Sequence, residues 1–318
     1  MNIERVEKIL KGEDQSISYE DLVYDEAFSE YLSIKAEPIF DKHNVKPVKI
    51  RMCKSTEVTI PGFCASVNNE ECRLEADNEL YTSVLCNGKV SIKNAYEMIL
   101  GSLFHEIGHV LYTDFEKQFE RLSTPELKTN VISDKDHLEI INDILYRANN
   151  DYKLTYLCEK GYYDEVPLKS YVVKLVHVLS NAVEDAKVNK CLLTYDNEFT
   201  EFIDAFLKSE KIIIEEAKEI IELFTKEETE EVITNYPFWC CHYAEHAFVP
   251  DKKQFPCSYE ALPVIDRMLE EEDPDKFYDL ALELVAIAYP LFEDRILFKT
   301  EEEEEEYFRR QALKKQNN

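Results

Sequence analysis

The chain has 318 residues, of which 45% are hydrophobic, and a formal net charge of −28. This length suffices for one large domain or two small ones, and the hydrophobic content predicts a substantial core. Phosphates repel an acidic surface, so the charge argues against nucleic acid or an anionic membrane as a direct partner. It favours a protein or peptide substrate, basic rather than acidic. Nothing in the sequence indicates the oligomeric state.

Several features of the sequence point to the cytoplasm. No apolar run approaches the ~20 residues that cross a bilayer, and the first residues lack the hydrophobic region of a signal peptide. The nine cysteines are an odd number, without a CxxC pair. This usage is typical of reduced intracellular thiols rather than of a disulfide framework. We therefore expect a cytoplasmic protein.

The N-terminal residues predict a helix followed by extended segments. Residues 17–43 have apolar anchors at helical spacing, and residues 45–53 and 58–60 read as extended. The anchors of the predicted helix are Tyr19, Leu22, Val23, Phe28, Tyr31 and Leu32.

A predicted hairpin leads into the helical part of the chain. Residues 79–86 and 89–92 flank Asn87-Gly88, a pair that suits a type I′ turn. Almost everything after residue 95 reads as helix. We therefore predict an α+β, predominantly helical fold, zincin-like, with a small N-terminal mixed or antiparallel sheet and a helical C-terminal half.

Residues 105–109 read His-Glu-Ile-Gly-His, an HExxH motif inside an apolar stretch. On a helix, His105 and His109 stand one turn apart on one face, so both imidazoles can bind one zinc ion. Glu106 can then reach a metal-bound water as general base. Gly108 is expected to let another segment come close to the metal.

Helical geometry separates the motif from the apolar surface of its helix. With His105 at 0°, His109 lies at about 40° and Glu106 at about 100°, whereas the apolar residues lie at about 120–240°. Asn94 is the predicted N-cap, with Glu97 completing a capping box. Chance produces such a motif roughly 0.03 times in a chain of this composition. The alternative interpretation is an amphipathic helix with two partly buried histidines.

A catalytic zinc ion usually has three protein ligands, and we expect the third on a helix over residues 171–189. Glu184 lies opposite the apolar face of this helix. A carboxylate on a largely buried helix needs a partner, because an unpaired buried ion costs several kcal/mol. We therefore predict Glu184 as the third ligand. The alternative is a solvated edge of Glu184 and Asp185, paired with Lys187 or Lys190.

The same helix carries three further candidates. Asp185 points about 100° away from Glu184 and is placed to orient a histidine or the helix. Asn181 shares the side of Glu184. His177 also lies on that side, but nearly two turns away along the helix. We therefore expect it in the core or as a residue that orients a ligand.

Asp114 is a further alternative ligand, five residues after His109. It falls at about 180° on the first helix and would reach the metal only if the chain turned sharply. A third histidine is absent from the metzincin position, where Phe115 stands. The motifs therefore fit better with the glutamate-ligand class of zincins.

A second motif, HxxEH, runs from His242 through Glu245 to His246. It is the inverted arrangement of the same ligand types. Aromatic residues on both sides favour a packed core helix, so this is the less favoured of the two metal sites.

The C-terminal part of the chain predicts further helices and a charged tail. The predicted helices cover residues 198–223, 258–271 and 275–299. We expect a zincin-like core over residues 1–197 and a helical subdomain, packed on that core, over residues 198–300. Residues 301–318 form an acidic then basic tail.

The two motif helices together resemble a known family. Residues 101–114, GSLFHEIGHVLYTD, and residues 180–189, SNAVEDAKVN, are similar to the VWA-like metallopeptidase domains of bacteria and their phages. In those proteins an HExGHxLxTD-type helix and an NxxED helix occur together. The resemblance covers roughly residues 80–195. The DxSxS motif of a von Willebrand A domain is missing from the chain.

The resemblance implies zinc on His105, His109 and Glu184, with Glu106 as base, in a bacterial cytoplasm or in the host cell of a phage. Motifs and resemblance predict a gluzincin-like metalloendopeptidase, in which Glu106 activates a zinc-bound water to hydrolyse a peptide bond. The alternative is a non-catalytic, zinc-stabilised interaction module. A fourth protein ligand would favour that alternative, because structural zinc sites are usually closed.

Overall fold

The chain folds into two compact units. The first comprises Met1–Phe115 and Lys187–Leu223, and the second Glu116–Ala186 and Phe224–Asn318. This division does not follow the predicted boundary at residue 197. The computed structural model describes residues 1–54, 65–83, 85–86, 89–157, 163–195, 198–224, 229–247, 249, 256–305, 309 and 312.

Helices predominate among the described residues, and the strands are short. The helices are α1 (Ile3–Leu10), α2 (Tyr19–Val23), α3 (Glu26–His43), α4 (Glu79–Thr82), α5 (Ile92–Tyr112), α6 (Phe115–Ser123), α7 (Lys135–Asn149), α8 (Leu168–Leu192), α9 (Thr200–Phe224), α10 (Thr229–His246), α11 (Pro256–Glu270) and α12 (Pro274–Ala288). The strands are β1 (Lys49–Cys53), β2 (Ala65–Val67), β3 (Glu71–Glu75), β4 (Leu85–Cys86), β5 (Lys89–Val90), β6 (Lys153–Leu157) and β7 (Tyr163–Pro167).

The predicted N-terminal helix is present but divided in two. It breaks between α2 and α3 because Asp25 is an N-cap, whose Oδ1 accepts a hydrogen bond from the Ala27 amide at 3.0 Å. All six predicted apolar anchors are buried. They form one core with the inner faces of the sheet and of α5.

The first unit contains the predicted small mixed sheet. Its order is β1-β3-β2, with β1 parallel to β3 and β2 antiparallel to β3. Helix α5 packs beside β2 and β3. The predicted strand at residues 58–60 lies outside the described residues.

The predicted hairpin is shorter than expected. Residues 79–82, predicted as strand, form α4, and only β4 and β5 pair as antiparallel strands. The predicted turn residues lie outside the described residues. The predicted cap of α5 was also wrong, because Ser91 is the N-cap, accepting a hydrogen bond from the Asn94 amide.

The second unit has its own hydrophobic core, centred on α12. Every residue from Phe277 to Ala288 is buried, so this helix is surrounded by protein. The helix predicted over residues 275–299 ends at Ala288, and two short 3₁₀ turns follow. Pro290 lies in the first of these turns and has no N–H to continue an α-helix. The antiparallel pair β6–β7 lies where helices were predicted. None of the described helices is long and apolar enough to span a membrane.

A buried ion pair connects α6 with α12 in this unit. The Asp279 carboxylate, fully buried, accepts hydrogen bonds from Arg121 Nη2 and from the backbone and hydroxyl of Thr129, all at 2.6 Å. Arg121 is itself buried. Removing one partner of such a pair leaves an uncompensated charge in the core.

We predict that Asp279→Ala lowers the free energy of unfolding by about 3–5 kcal/mol, because it strands the Arg121 guanidinium in the core. Urea denaturation followed by circular dichroism measures the change. Glu165→Gln is the matched control, because it breaks an exposed pair with Lys153 and should cost less than about 1 kcal/mol. Equal losses in the two variants would contradict this account of Asp279.

Candidate metal centre

A close approach of two helices in the first unit positions the centre. Helix α5 meets the end of α8 at Gly108. A Cβ added there would collide with Val188 Cγ1 and lie 2.8 Å from Leu192 Cδ1. The prediction that Gly108 admits a neighbouring segment is therefore confirmed. The opposite side of α5 is fully buried, as at Ile99 and Leu103.

The two histidines of the HExxH motif face each other across one turn of α5. The Nε2 atoms of His105 and His109 lie 3.2 Å apart, and the ring planes cross at 81°. His109 is buried and His105 is half-buried. The two nitrogens therefore converge on one point beside the helix.

Each imidazole also contacts a neighbouring polar side chain through its other ring nitrogen, Nδ1. His105 Nδ1 lies 2.7 Å from Asn189 Oδ1, and His109 Nδ1 lies 2.9 Å from Thr113 Oγ1. An amide oxygen only accepts hydrogen bonds, so His105 donates through Nδ1 and keeps the Nε2 lone pair available. The Thr113 hydroxyl allows the same tautomer at His109. Such partners orient metal-binding histidines in proteins generally.

The spacing of the nitrogens fits a tetrahedral cation. Two ligands of a tetrahedral zinc ion with bonds of about 2.05 Å stand about 3.3 Å apart, which is close to the 3.2 Å between the two Nε2 atoms. The donors are imidazoles, which zinc accepts readily. The donor type and the spacing of this pair are therefore both compatible with a bound metal ion.

Asp185 joins the two histidines. One ligand atom from each of His105, His109 and Asp185 lies within 4.8 Å of the others. Asp185 lies one turn before Asn189 on α8, which continues without a break from residue 168 to 192. Asn181 Nδ2 donates to both oxygens of Asp185, at 3.1 and 3.2 Å. The carboxylate is thus oriented from its own helix.

Glu184, the residue predicted as third ligand, has a hydrogen-bond partner on α6. Glu184 is half-buried, and its Oε2 accepts a hydrogen bond from Gln118 Nε2 at 3.2 Å. It does not belong to the group formed by the histidines and Asp185 among the described residues. His177 lies two turns before Asp185, and burial lowers its pKa while the negative charge of Asp185 opposes that shift.

The residues after the motif lie at the end of α5. Asp114 is exposed and follows the last turn, so the chain does not bring it into the group. Tyr112 is 41% exposed, and its hydroxyl is hydrogen-bonded to that of Tyr195.

Glu106, the predicted base, is only 8% exposed. It lies near β3, since the pKa of the Cys72 thiol is raised well above its ordinary value, first by burial and then by the charge of Glu106. A carboxylate next in sequence to a ligand histidine and shielded from bulk water is suited to proton transfer.

Two residues that orient the imidazoles, Asn189 and Thr113, were not predicted from the sequence. Asn189 could have been found from its spacing, because it lies four residues after Asp185 and eight after Asn181. Residues at this spacing share one face of a helix. Thr113 has the same spacing, four residues after His109, but it lies just beyond the last residue of α5, where the helical period no longer fixes the direction of a side chain.

The HxxEH motif forms a second group, at the end of α10. One ligand atom from each of His242, Glu245 and His246 lies within 4.8 Å of the others. Burial, and then the charge of His246, lowers the pKa of His242 to about 4. His242 is therefore neutral near pH 7, the form in which an imidazole binds a metal.

Comparison of the chain with protein-family models, with curated proteins and with solved structures found no match.

We predict that Gly108→Ala weakens zinc binding by about tenfold or more and lowers the free energy of unfolding by about 1–3 kcal/mol, because the added methyl group pushes α8 away from α5. Zinc affinity is measured by competition with a chromophoric chelator. Gly101→Ala is the control, since its Cβ would collide with Ser209 and approach the Ala205 carbonyl at 2.9 Å, one to two turns from the histidines. That variant should lose stability but keep its zinc affinity. Unchanged zinc binding in Gly108→Ala would refute the role of the glycine.

Proposed function

We propose that this chain is a zinc-dependent peptidase, with His105, His109 and Asp185 as the metal ligands and Glu106 as the general base. The observation that carries the proposal is the grouping of two Nε2 atoms 3.2 Å apart with one carboxylate, all within 4.8 Å of one another. The original prediction named Glu184 as third ligand; Asp185 is the better candidate because it lies with the histidines.

The number of ligands supports catalysis over a purely structural role. In the described part of the chain, the group holds two histidines and one carboxylate, without a fourth His, Cys, Asp or Glu. Catalytic zinc sites characteristically have three protein ligands and an open fourth position, whereas structural sites are closed by four. Two imidazoles with one carboxylate are a ligand set typical of catalytic zinc sites, and this set favours the enzyme over the non-catalytic zinc-stabilised module.

Zinc bound here would polarise the scissile carbonyl and make water acidic enough to lose a proton near neutral pH. The chain itself supplies the proton transfers. The Glu106 carboxylate accepts the proton of the attacking water and delivers it to the leaving amine. Asn189 holds His105 in the tautomer that leaves Nε2 available, and the Thr113 hydroxyl allows the same tautomer at His109, so each ligand is oriented before the substrate arrives.

The arrangement of elements supports a zincin-like interpretation. The HExxH helix packs beside a small mixed sheet, and the third ligand comes from a second helix later in the chain. The second feature agrees with the resemblance to the VWA-like metallopeptidases, in which two motif helices occur together. The net charge of −28 attracts basic peptides more strongly than acidic ones.

We predict that Glu106→Gln retains one equivalent of zinc but cleaves peptides at least about 100-fold more slowly, because the amide cannot accept the proton of the attacking water. Cleavage is measured with a quenched-fluorescent peptide library that includes basic sequences, and zinc by elemental analysis. Glu97→Gln, on the same helix, is the control and should cleave normally. Cleavage by Glu106→Gln at the wild-type rate would exclude Glu106 as the base. If the wild type binds zinc but cleaves none of the peptides, the result would favour the non-catalytic, zinc-stabilised interaction module.

A second pair of variants identifies the third ligand. Asp185→Asn should weaken zinc binding at least about tenfold, because it removes the negative charge and a carboxylate donor from the group. Glu184→Gln should leave the affinity within about twofold, because Glu184 accepts a hydrogen bond from Gln118 and does not belong to the group of the two histidines and Asp185. Isothermal titration of chelator-stripped protein measures both. The reverse order of affinities would restore Glu184 as the ligand.

A further inference from the structure

We propose that the last turn of α10 is a second transition-metal site, with His242, Glu245 and His246 as its ligands. It lies wholly within the second unit and does not depend on the function proposed above.

The geometry of the side chains supports this site. One ligand atom from each of the three residues lies within 4.8 Å of the others, and His246 Nε2 lies 3.4 Å from Glu245 Oε2. The two imidazole rings are nearly parallel, with planes at 28° and centroids 5.7 Å apart. Residues at i, i+3 and i+4 share one helix face, so the last turn of the helix alone supplies the whole donor set.

The site lies at the border between the core and the surface. His242 is only 4% exposed and has the buried Trp239 and Cys240 near it on the helix. The side chains of His246 and Glu245 are 19% and 13% exposed. A cation can therefore enter from solvent and still bind in surroundings of low polarity, where each charge interaction is strengthened.

Neighbouring contacts fix the helix turn that carries the ligands. Trp239 stacks on Tyr243, with ring planes at 14°, and the Tyr243 hydroxyl donates to Asp266 on α11 at 2.9 Å. Ligands on a turn that is already held in place lose little conformational entropy when a metal binds. The site is therefore preorganised by packing rather than by the metal.

The end of α10 gives such a metal a physical role. Directly after His246, Ala247 has φ = 52°, in the left-handed region, and its amide donates to the Tyr243 carbonyl at 2.8 Å. This conformation is unfavourable for an alanine, because its Cβ crowds the following carbonyl oxygen. A cation that joins His242 to His246 across the last turn would hold this helix end against fraying.

The donor types select the class of ion. Two imidazoles and one carboxylate suit Zn²⁺, Co²⁺, Ni²⁺ and Cu²⁺, whereas Ca²⁺ and Mg²⁺ prefer sites made of oxygen atoms alone. The Glu245 carboxylate lowers the net charge of the bound cation. Divalent transition metals are therefore the ligand class of this site.

The test is a cobalt titration of the full-length chain after removal of metals, in wild type, His246→Ala, Glu245→Gln and the control Glu260→Gln, which changes an exposed residue of α11. Wild type and control should bind one more equivalent than His246→Ala. Glu245→Gln should bind that equivalent at least about tenfold more weakly. If the α5 centre does not bind cobalt, the wild type should bind one equivalent of cobalt and His246→Ala none. The same stoichiometry in His246→Ala and wild type overturns the α10 site, whatever happens at α5.

Two measurements on the unaltered chain keep the test decisive if a variant misfolds. Diethylpyrocarbonate labelling with mass spectrometry should show His246 modified in the stripped protein and protected after zinc is added. Unchanged labelling overturns the proposal. In the cobalt spectrum, a thiolate charge-transfer band at the second equivalent would also overturn it, because that band would assign the ion to cysteines such as Cys240 or Cys241.

Discussion

The close approach of α5 and α8 at Gly108 is the constraint on which the candidate metal centre depends. A side chain at this position would collide with Val188 and crowd Leu192, so only glycine allows the two helices to meet here. The contact sets the rotation of α8 about its own axis. That rotation brings Asn189, the residue after Val188, to His105, and in the proposed site it favours Asp185 over Glu184 as the ligand.

This dependence explains what the sequence could and could not predict. The HExxH residues and their apolar backing follow from the helical period alone, and so does the need for a neighbour at Gly108. The choice between Glu184 and Asp185 as the third ligand does not follow from the helical period. On α8, Asp185 lies at about +60° and Glu184 at about −40° from Val188, so they occupy opposite flanks of the contact. A single sequence contains both carboxylates but not the rotation that selects one.

The errors elsewhere in the fold have equally local causes. The break between α2 and α3 comes from a capping carboxylate at Asp25 within an otherwise continuous apolar pattern. The α-helix predicted to residue 299 ends where Pro290 removes a donor. The pair β6–β7 was missed because a strand becomes favourable through its partner, and that partner is found only once the chain has folded.

Charge balance connects the candidate centre with its surroundings. Helix α5 buries the Glu106 carboxylate one residue after His105, and Asp185 adds a second carboxylate beside the imidazole pair. Two negative charges in one region repel each other, and a cation between them relieves that repulsion. The groups that hold the imidazoles, Asn189 and Thr113, are both neutral, so they add no further charge. In the proposed site, one divalent cation would balance the two carboxylates, and the neutral partners of the histidines would leave that balance unchanged.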